Sequence, residues 1–257
     1  MAIDKKFLKN KAEIEKMREA GRVNALVLRE VKQLIRPGVT TKELDQAAEE
    51  IIRDHGGIPT FKGYPGPYPY PATLTISINE EMVHGIPSGR ILNEGDLVSV
   101  DCGTTLDGFV GDSAFTVGVG EISDRLKKLI QVTEASLYKG IEAMVPGNTV
   151  GDVGAAIQRY VEQHGFHVPR KYTGHGVGRQ MHEPPQVPNY GVPGRGIGLV
   201  EGMTIAIEPM VLVGTSETRV LADQWTVISA DHSLTAHFEH TVAVTRGGPL
   251  ILTPMED

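Results

Sequence analysis

NEGDLVSVD, residues 93–101, and VEGMTIAIE, residues 200–208, read as two copies of one strand. Glu94 aligns with Glu201, Gly95 with Gly202, Val98 with Ile205, Val100 with Ile207 and Asp101 with Glu208. Side chains alternate across a strand, so Val98, Val100, Ile205 and Ile207 point to one face while Ser99 with Asp101, and Ala206 with Glu208, share the other. The apolar face packs on helices. The opposite face, with small neighbours around an acid, lines a space.

The likeness extends outward from these strands. IRPGVTTKELDQAAEEIIRDHGG (35–57) returns as MVPGNTVGDVGAAIQRYVEQHGF (144–166), and one offset, 109, carries Pro37 to Pro146 and Gly56 to Gly165. Each copy reads as a helix opened by a capping box, Thr40 with Glu43 and Thr149 with Asp152, and closed by a glycine. DSAFTV (112–117) and EHTVAV (239–244) each begin a β-branched run with an acid, and MVHGIP (82–87) has a looser echo in QMHEPP (180–185). The expectation is a single domain over 1–257 built from a duplicated α/β unit, approximately 35–118 and 144–245.

The duplication sets Asp101, Asp112 and His84 of one half against Glu208, Glu239 and His182 of the other. Asp107-Gly108 is a hairpin signal. With those two residues as the turn, position 103 pairs with 112, and Asp101 and Asp112 lie diagonally on one face; a three-residue loop or a bulge at Gly103 would reverse that parity. Four inward carboxylates cannot sit together bare, because desolvation and mutual repulsion oppose their ionisation. Two divalent cations would balance them. GHGVGRQMHEPP (174–185) adds His175 and His182 in a glycine-rich segment. The rival reading of that segment as a phosphate loop is weak, since Pro184-Pro185 stops the helix it requires.

Composition narrows the function classes. The 257 residues are 40% hydrophobic and 22% charged, enough for a substantial core. MAIDKKFLKN runs into a charged helical pattern without an apolar h-region, and no run of eighteen apolar residues occurs, so neither secretion nor membrane spanning is expected. A lone Cys102 fits a reducing cytoplasm. The formal net charge of −7 speaks against nucleic-acid binding.

HGIP (84–87), VDCGTTLDGFVGDSAFT (100–116), TGHGVGRQMHEPPQVPNYG (173–191), MTIAIEPM (203–210) and FEHTVAV (238–244) together resemble the methionine aminopeptidases of type I. The resemblance implies an α+β pita-bread fold: a curved antiparallel sheet flanked by helices, in two pseudo-symmetric halves. It implies a dinuclear site in which Asp101 holds one divalent metal, Asp112 and Glu239 bridge both, and His175 and Glu208 complete the second. Cobalt, manganese, iron and zinc all suit it. His84 and His182 match the family's non-ligand histidines, which contact the scissile peptide and stabilise its oxyanion, and Glu208 is the expected proton acceptor.

For the substrate side chain, Tyr64 and Trp225 match the family's methionine pocket. Tyr70 follows what reads as three extra residues, Pro67-Tyr68-Pro69, Thr75 stands where many relatives have cysteine, and Phe61 and Met181 replace Cys and Phe of some. The implied substrates are nascent polypeptide N-termini at the ribosome, and a monomer is expected. The chain's own Met1-Ala2 fits the rule of methionine before a small residue. Two rivals stay open: an X-Pro-specific or creatinase-like enzyme of the same fold, usually with an additional N-terminal domain, and a non-catalytic binding module, usually lacking ligands. His55 and His164, at matched helix ends, read as structural. His237 shares the face of Glu239, whereas Cys102 points away from that of Asp101 and has no nucleophile's partners.

Overall fold

The computed structural model describes residues 3–255, so Met1-Ala2 lies outside the described residues. Its helices are α1 (Lys11–Leu34), α2 (Thr41–Asp54), α3 (Asp124–Glu142) and α4 (Val150–Gln163). The first-half strands are β1 (Ile58–Pro59), β2 (Leu74–Ile78), β3 (Glu81–Val83), β4 (Leu97–Leu106) and β5 (Phe109–Gly118). The second half carries β6 (Thr173–Gly176), β7 (Glu183–Pro188), β8 (Thr204–Ile207), β9 (Met210–Leu212) and β10 (Thr218–Val220). It continues through β11 (Val227–Ser229), β12 (Thr235–His237), β13 (Glu239–Thr245) and β14 (Gly248–Ile251).

Antiparallel pairing builds one large sheet in the order β1-β4-β5-β13-β8-β6-β7, with β2 beside β4 and β14 beside β13. Its centre shows the duplication. The matched strands β4 and β8 flank the matched strands β5 and β13, so the two halves meet where β5 pairs with β13. The helices repeat as well. Thr40 with Glu43 and Thr149 with Asp152 form capping boxes at α2 and α4, and Gly56 and Gly165 follow the helix ends at φ of 74° and 79°. His55 and His164 are the C-caps, each ring holding the carbonyl four residues back, at Ile51 and Tyr160. They are structural, as expected.

Val98, Val100, Ile205 and Ile207 are buried in one core with Val27, Leu28, Leu44, Leu137 and Val153 from the four helices. Burying each such side chain contributes roughly 1.5–3 kcal/mol, which seats the apolar sheet face on the helices and turns the acid face the other way. Cys102 belongs to that core, away from the acids. Asn24 of α1 locks the hairpin from behind: its Nδ2 donates to the carbonyls of Cys102 and Gly111, and its Oδ1 accepts from Ser113 Oγ. Those partners are immediate neighbours of Asp101 and Asp112. Asp107 and Gly108 form the two-residue turn, with φ of 48° and 77°, and Gly103 pairs with Asp112. The bulge that would have reversed the acid parity is therefore absent from this pairing.

Candidate metal centre

Asp101 on β4 and Glu239 on β13 both pair across from Ala114 of β5, and Asp112 lies two residues before it. Opposed side chains, and those two apart on a strand, share a face. Three carboxylates therefore surround one methyl group, which leaves the space between them open. Thr241 of β13 keeps the strands in this register by donating from Oγ1 to the Asp112 carbonyl and accepting from its N–H, at 2.8 and 3.1 Å.

The second half supplies the rest. Glu208 stands one residue beyond β8, where its carbonyl accepts from Asn189 Nδ2 at 2.9 Å. His175 on β6 pairs with Ala206 of β8 and turns its Nε2 to within 3.4 Å of Glu208 Oε1 and 3.7 Å of Asp112 Oδ2. Asp112, His175 and Glu239 each place one donor atom within 4.8 Å of the others. Asp101 and Glu208 line the same cavity beside that triad.

Burial is the largest influence on every acid here. It raises Asp101, Glu208 and Glu239 well above the usual carboxylate range, reinforced in each by the charge of Asp112 and, for Glu208 and Glu239, by the other acids, and it pushes Asp112 up to about 7. Burial, then the neighbouring His182, depresses His175 to about 3, so its ring is neutral. Its Nδ1–H donates to the Gly176 carbonyl at 2.9 Å and leaves the Nε2 lone pair facing the acids.

Among the described residues, Asp101 Oδ1, Asp112 Oδ1, Glu239 Oε1 and His237 Nε2 are buried without a hydrogen-bond partner. Leaving such atoms unsatisfied costs about 1–3 kcal/mol each. A set of hard carboxylate oxygens with one imidazole nitrogen is what a divalent transition metal takes. The donor set fits the cation that the charge balance demands.

His237 is the residue the strand pattern only half revealed. It ends β12, and its Nε2 lies 3.9 Å from Glu208 Oε2 and 3.8 Å from Glu239 Oε2. Thr116 of β5 fixes it, accepting from its N–H and donating to its carbonyl at 2.8 and 2.7 Å. His240 faces elsewhere, with Nδ1 3.1 Å from Thr253 Oγ1. The glycine-rich segment forms β6 and β7, with no helix start between them, so the phosphate-loop reading, weak in the sequence, is excluded by the structure.

The family model described as metallopeptidase family M24 matches residues 15–246. A methionine aminopeptidase of Clostridium acetobutylicum is 52% identical over 97% of this chain and 99% of its own. The chain belongs to family M24, among its methionine aminopeptidases. The crystal structure of the Thermotoga maritima methionine aminopeptidase superposes with a TM-score of 0.93 at 47% identity, covering 96% of this chain and 98% of that one. A prolidase from Pyrococcus horikoshii, at 22% identity and a TM-score of 0.78, shares the pita-bread architecture alone, and this chain spans 64% of it. The X-Pro and non-catalytic alternatives thus give way to a hydrolase of the methionine aminopeptidase type.

Within this family's fold, the cavity holding the acids has a volume of about 270 Å³ and extends to Phe61, Tyr64, Tyr70, Thr75, Met181 and Trp225. Every pocket residue expected from the sequence is on its wall. Tyr70 is held there by its hydroxyl, which donates to the Leu74 and Gly85 carbonyls at 3.0 and 2.9 Å. His84, at φ 62° after β3, and His182, exposed on the segment between β6 and β7, stand at the junction of the pocket and the acids. Burial, then His182, holds His84 down at about 4. Tyr64 Oη lies 2.6 Å from His182 Nδ1. Val83, Tyr172, Thr173 and Met210 also line the wall. No periodicity pointed to them, although Tyr172 and Thr173 directly precede the glycine-histidine motif.

Proposed function

We propose that residues 1–257 act as one catalytic domain that removes N-terminal methionine from nascent proteins and peptides when the second residue is small. Asp101, Asp112, His175, Glu208 and Glu239 would hold two divalent cations, with Asp112 and Glu239 shared between them and Asp101 on one, His175 and Glu208 on the other. Such cations supply an acidified water, polarise the first peptide carbonyl and bind a free α-amine. Cobalt, manganese, iron and zinc all suit an oxygen-rich set with one imidazole.

The chain's own residues do the remaining work. Glu208, beside His175, accepts the proton released by the attacking water. With Tyr64 Oη–H donating to Nδ1, His182 carries its ring proton on Nε2, where it can donate to the carbonyl oxygen as charge develops. His84 is neutral near pH 7 and contacts the same peptide group without repelling a cation. Phe61, Tyr64, Tyr70, Thr75, Met181 and Trp225 enclose one flexible, unbranched, uncharged side chain, which methionine provides. A second residue larger than Ala, Gly or Ser meets His84 and His182.

The observation that carries this reading is the continuity of one cavity from buried, unsatisfied carboxylate oxygens to an apolar pocket. Among the described residues no helix is long and apolar enough to cross a membrane. We place the activity in the cytoplasm, on chains leaving the ribosome, with the protein as a monomer. The test is a peptide panel: Met-Ala-Ser is cleaved, Leu-Ala-Ser slowly, Lys-Ala-Ser hardly at all, and N-acetylated Met-Ala-Ser not. Equal cleavage of the Met and Lys peptides would overturn the pocket assignment.

A further inference from the structure

Residues 64–70 close into a loop whose base consists of two pocket tyrosines. Gly63 N–H donates to the Tyr70 carbonyl at 2.8 Å, and Tyr70 N–H donates to the Tyr64 carbonyl at 2.9 Å. Pro67-Tyr68-Pro69 therefore bulges from the tip while the two tyrosines stay bonded at the base, and the tip folds onto Trp225. A Cβ at Gly66 would come within 2.4 Å of Trp225 Cη2 and Cζ2, so the loop backbone rests on the indole's six-membered ring.

Tyr68 completes the contact. Its hydroxyl donates to the Asp223 carbonyl at 2.8 Å, and its ring stands edge-on to Trp225 at 6.2 Å and 87°. Asp223 in turn holds the turn that carries the indole: Oδ1 accepts from Trp225 N and Thr226 N at 3.0 and 2.9 Å, and Oδ2 from Thr226 Oγ1 at 2.6 Å. The indole N–H is buried without a hydrogen-bond partner among the described residues, so its own polar group does not pin the ring. Neighbouring rings and the Asp223 turn do that instead.

We propose that Tyr68 is a specificity-positioning residue: by tying the Asp223 turn and backing the indole, it sets how far Trp225 reaches into the pocket and how wide a first side chain is accepted. This rests on Trp225 being a wall of the methionine pocket. Tyr68 itself does not line that cavity and is 38% exposed, so its replacement leaves the core intact.

The test compares Tyr68→Ala, Tyr68→Phe and Trp225→Ala in the metal-loaded full chain, on Met-Ala-Ser and Leu-Ala-Ser. In Tyr68→Ala the Met-over-Leu ratio of kcat/KM falls about tenfold, the scale of one misfitting methylene group. The change is in KM, with kcat for Met-Ala-Ser within about twofold and metal content unchanged. Tyr68→Phe keeps the ring, loses the hydrogen bond and gives an intermediate ratio. Trp225 is the sole tryptophan, so its fluorescence reads the same event directly. Acrylamide quenches it more readily in Tyr68→Ala, and added L-methionine protects it less. A ratio unchanged in Tyr68→Ala but collapsed in Trp225→Ala overturns the proposal and leaves the pocket reading standing. A ratio unchanged in both variants removes the pocket reading and the proposal together. Loss of metal or of folded protein in Tyr68→Ala would make the residue merely structural and also overturn the proposal.

Discussion

Stripping the metal should make the protein's stability fall as pH rises above about 6.5, and restoring the metal should reverse that trend. In the metal-free fold, Asp112 is raised to about 7 and Asp101, Glu208 and Glu239 are raised further above their ordinary values, chiefly by burial. An acid whose folded pKa is raised contributes its stability fully below its unfolded pKa and loses it as pH climbs to the folded value. Opposing this on the acid side, burial depresses His175 and His237 to about 3 and His84 and His240 to about 4. Those histidines lower stability as pH falls below roughly 6.5, where the unfolded chain takes up their protons. Above that point the raised acids set the trend. An acid that stays protonated in the fold costs about 1.4 kcal/mol per pH unit. Asp112, which ionises at about 7, removes about 0.8 kcal/mol between pH 6.5 and 8, with the three more strongly raised acids adding to the same loss. A divalent cation at a hundred times its Kd returns about 2.7 kcal/mol. Urea unfolding followed by Trp225 fluorescence, with and without chelator at pH 6.5 and 8, reads both quantities. A metal-free protein equally stable at the two pH values, and unaffected by added metal, would refute the buried-carboxylate argument.

Two substitutions separate the roles within the site. Glu239→Gln removes a carboxylate proposed to be shared between the ions; turnover should drop by several orders of magnitude and retained metal should fall, as measured by elemental analysis beside kinetics. His182→Ala should lower kcat by about 10²–10³, the usual cost of one oxyanion donor, with metal content intact. Loss of metal in that variant would move His182 among the ligands.

Much of this architecture was legible because it is local or repeated. Capping boxes, the Asp107-Gly108 turn and two strands each ending in an acid are patterns within a few residues, and the second copy confirmed the first. That Ala114 is the gap between Asp101, Asp112 and Glu239 depends on the register of three strands, two of them from different halves, and no single segment encodes it. His237 was visible as a neighbour of Glu239, but its reach to Glu208 arises from the break at Phe238 between β12 and β13. The pair of Lys9 with Glu183 was hidden for a similar reason. A buried lysine at the start of the chain finds its partner 174 residues away, beside His182, and only packing reveals it. Pro67-Tyr68-Pro69 stands between Tyr64 and Tyr70 in sequence, and that the two tyrosines nevertheless meet depends on the backbone bond between them at the loop base.

The central claim is that this carboxylate cluster is a metal centre that drives peptide hydrolysis. Its most direct test is titration of a divalent ion, manganese first and then cobalt, iron and zinc, into metal-free protein while bound metal and cleavage of Met-Ala-Ser are measured together. The account predicts no turnover without metal, activity that rises with occupancy, and up to two ions bound per chain. Full turnover by the metal-free protein, or metal binding undiminished in Glu239→Gln, would contradict it.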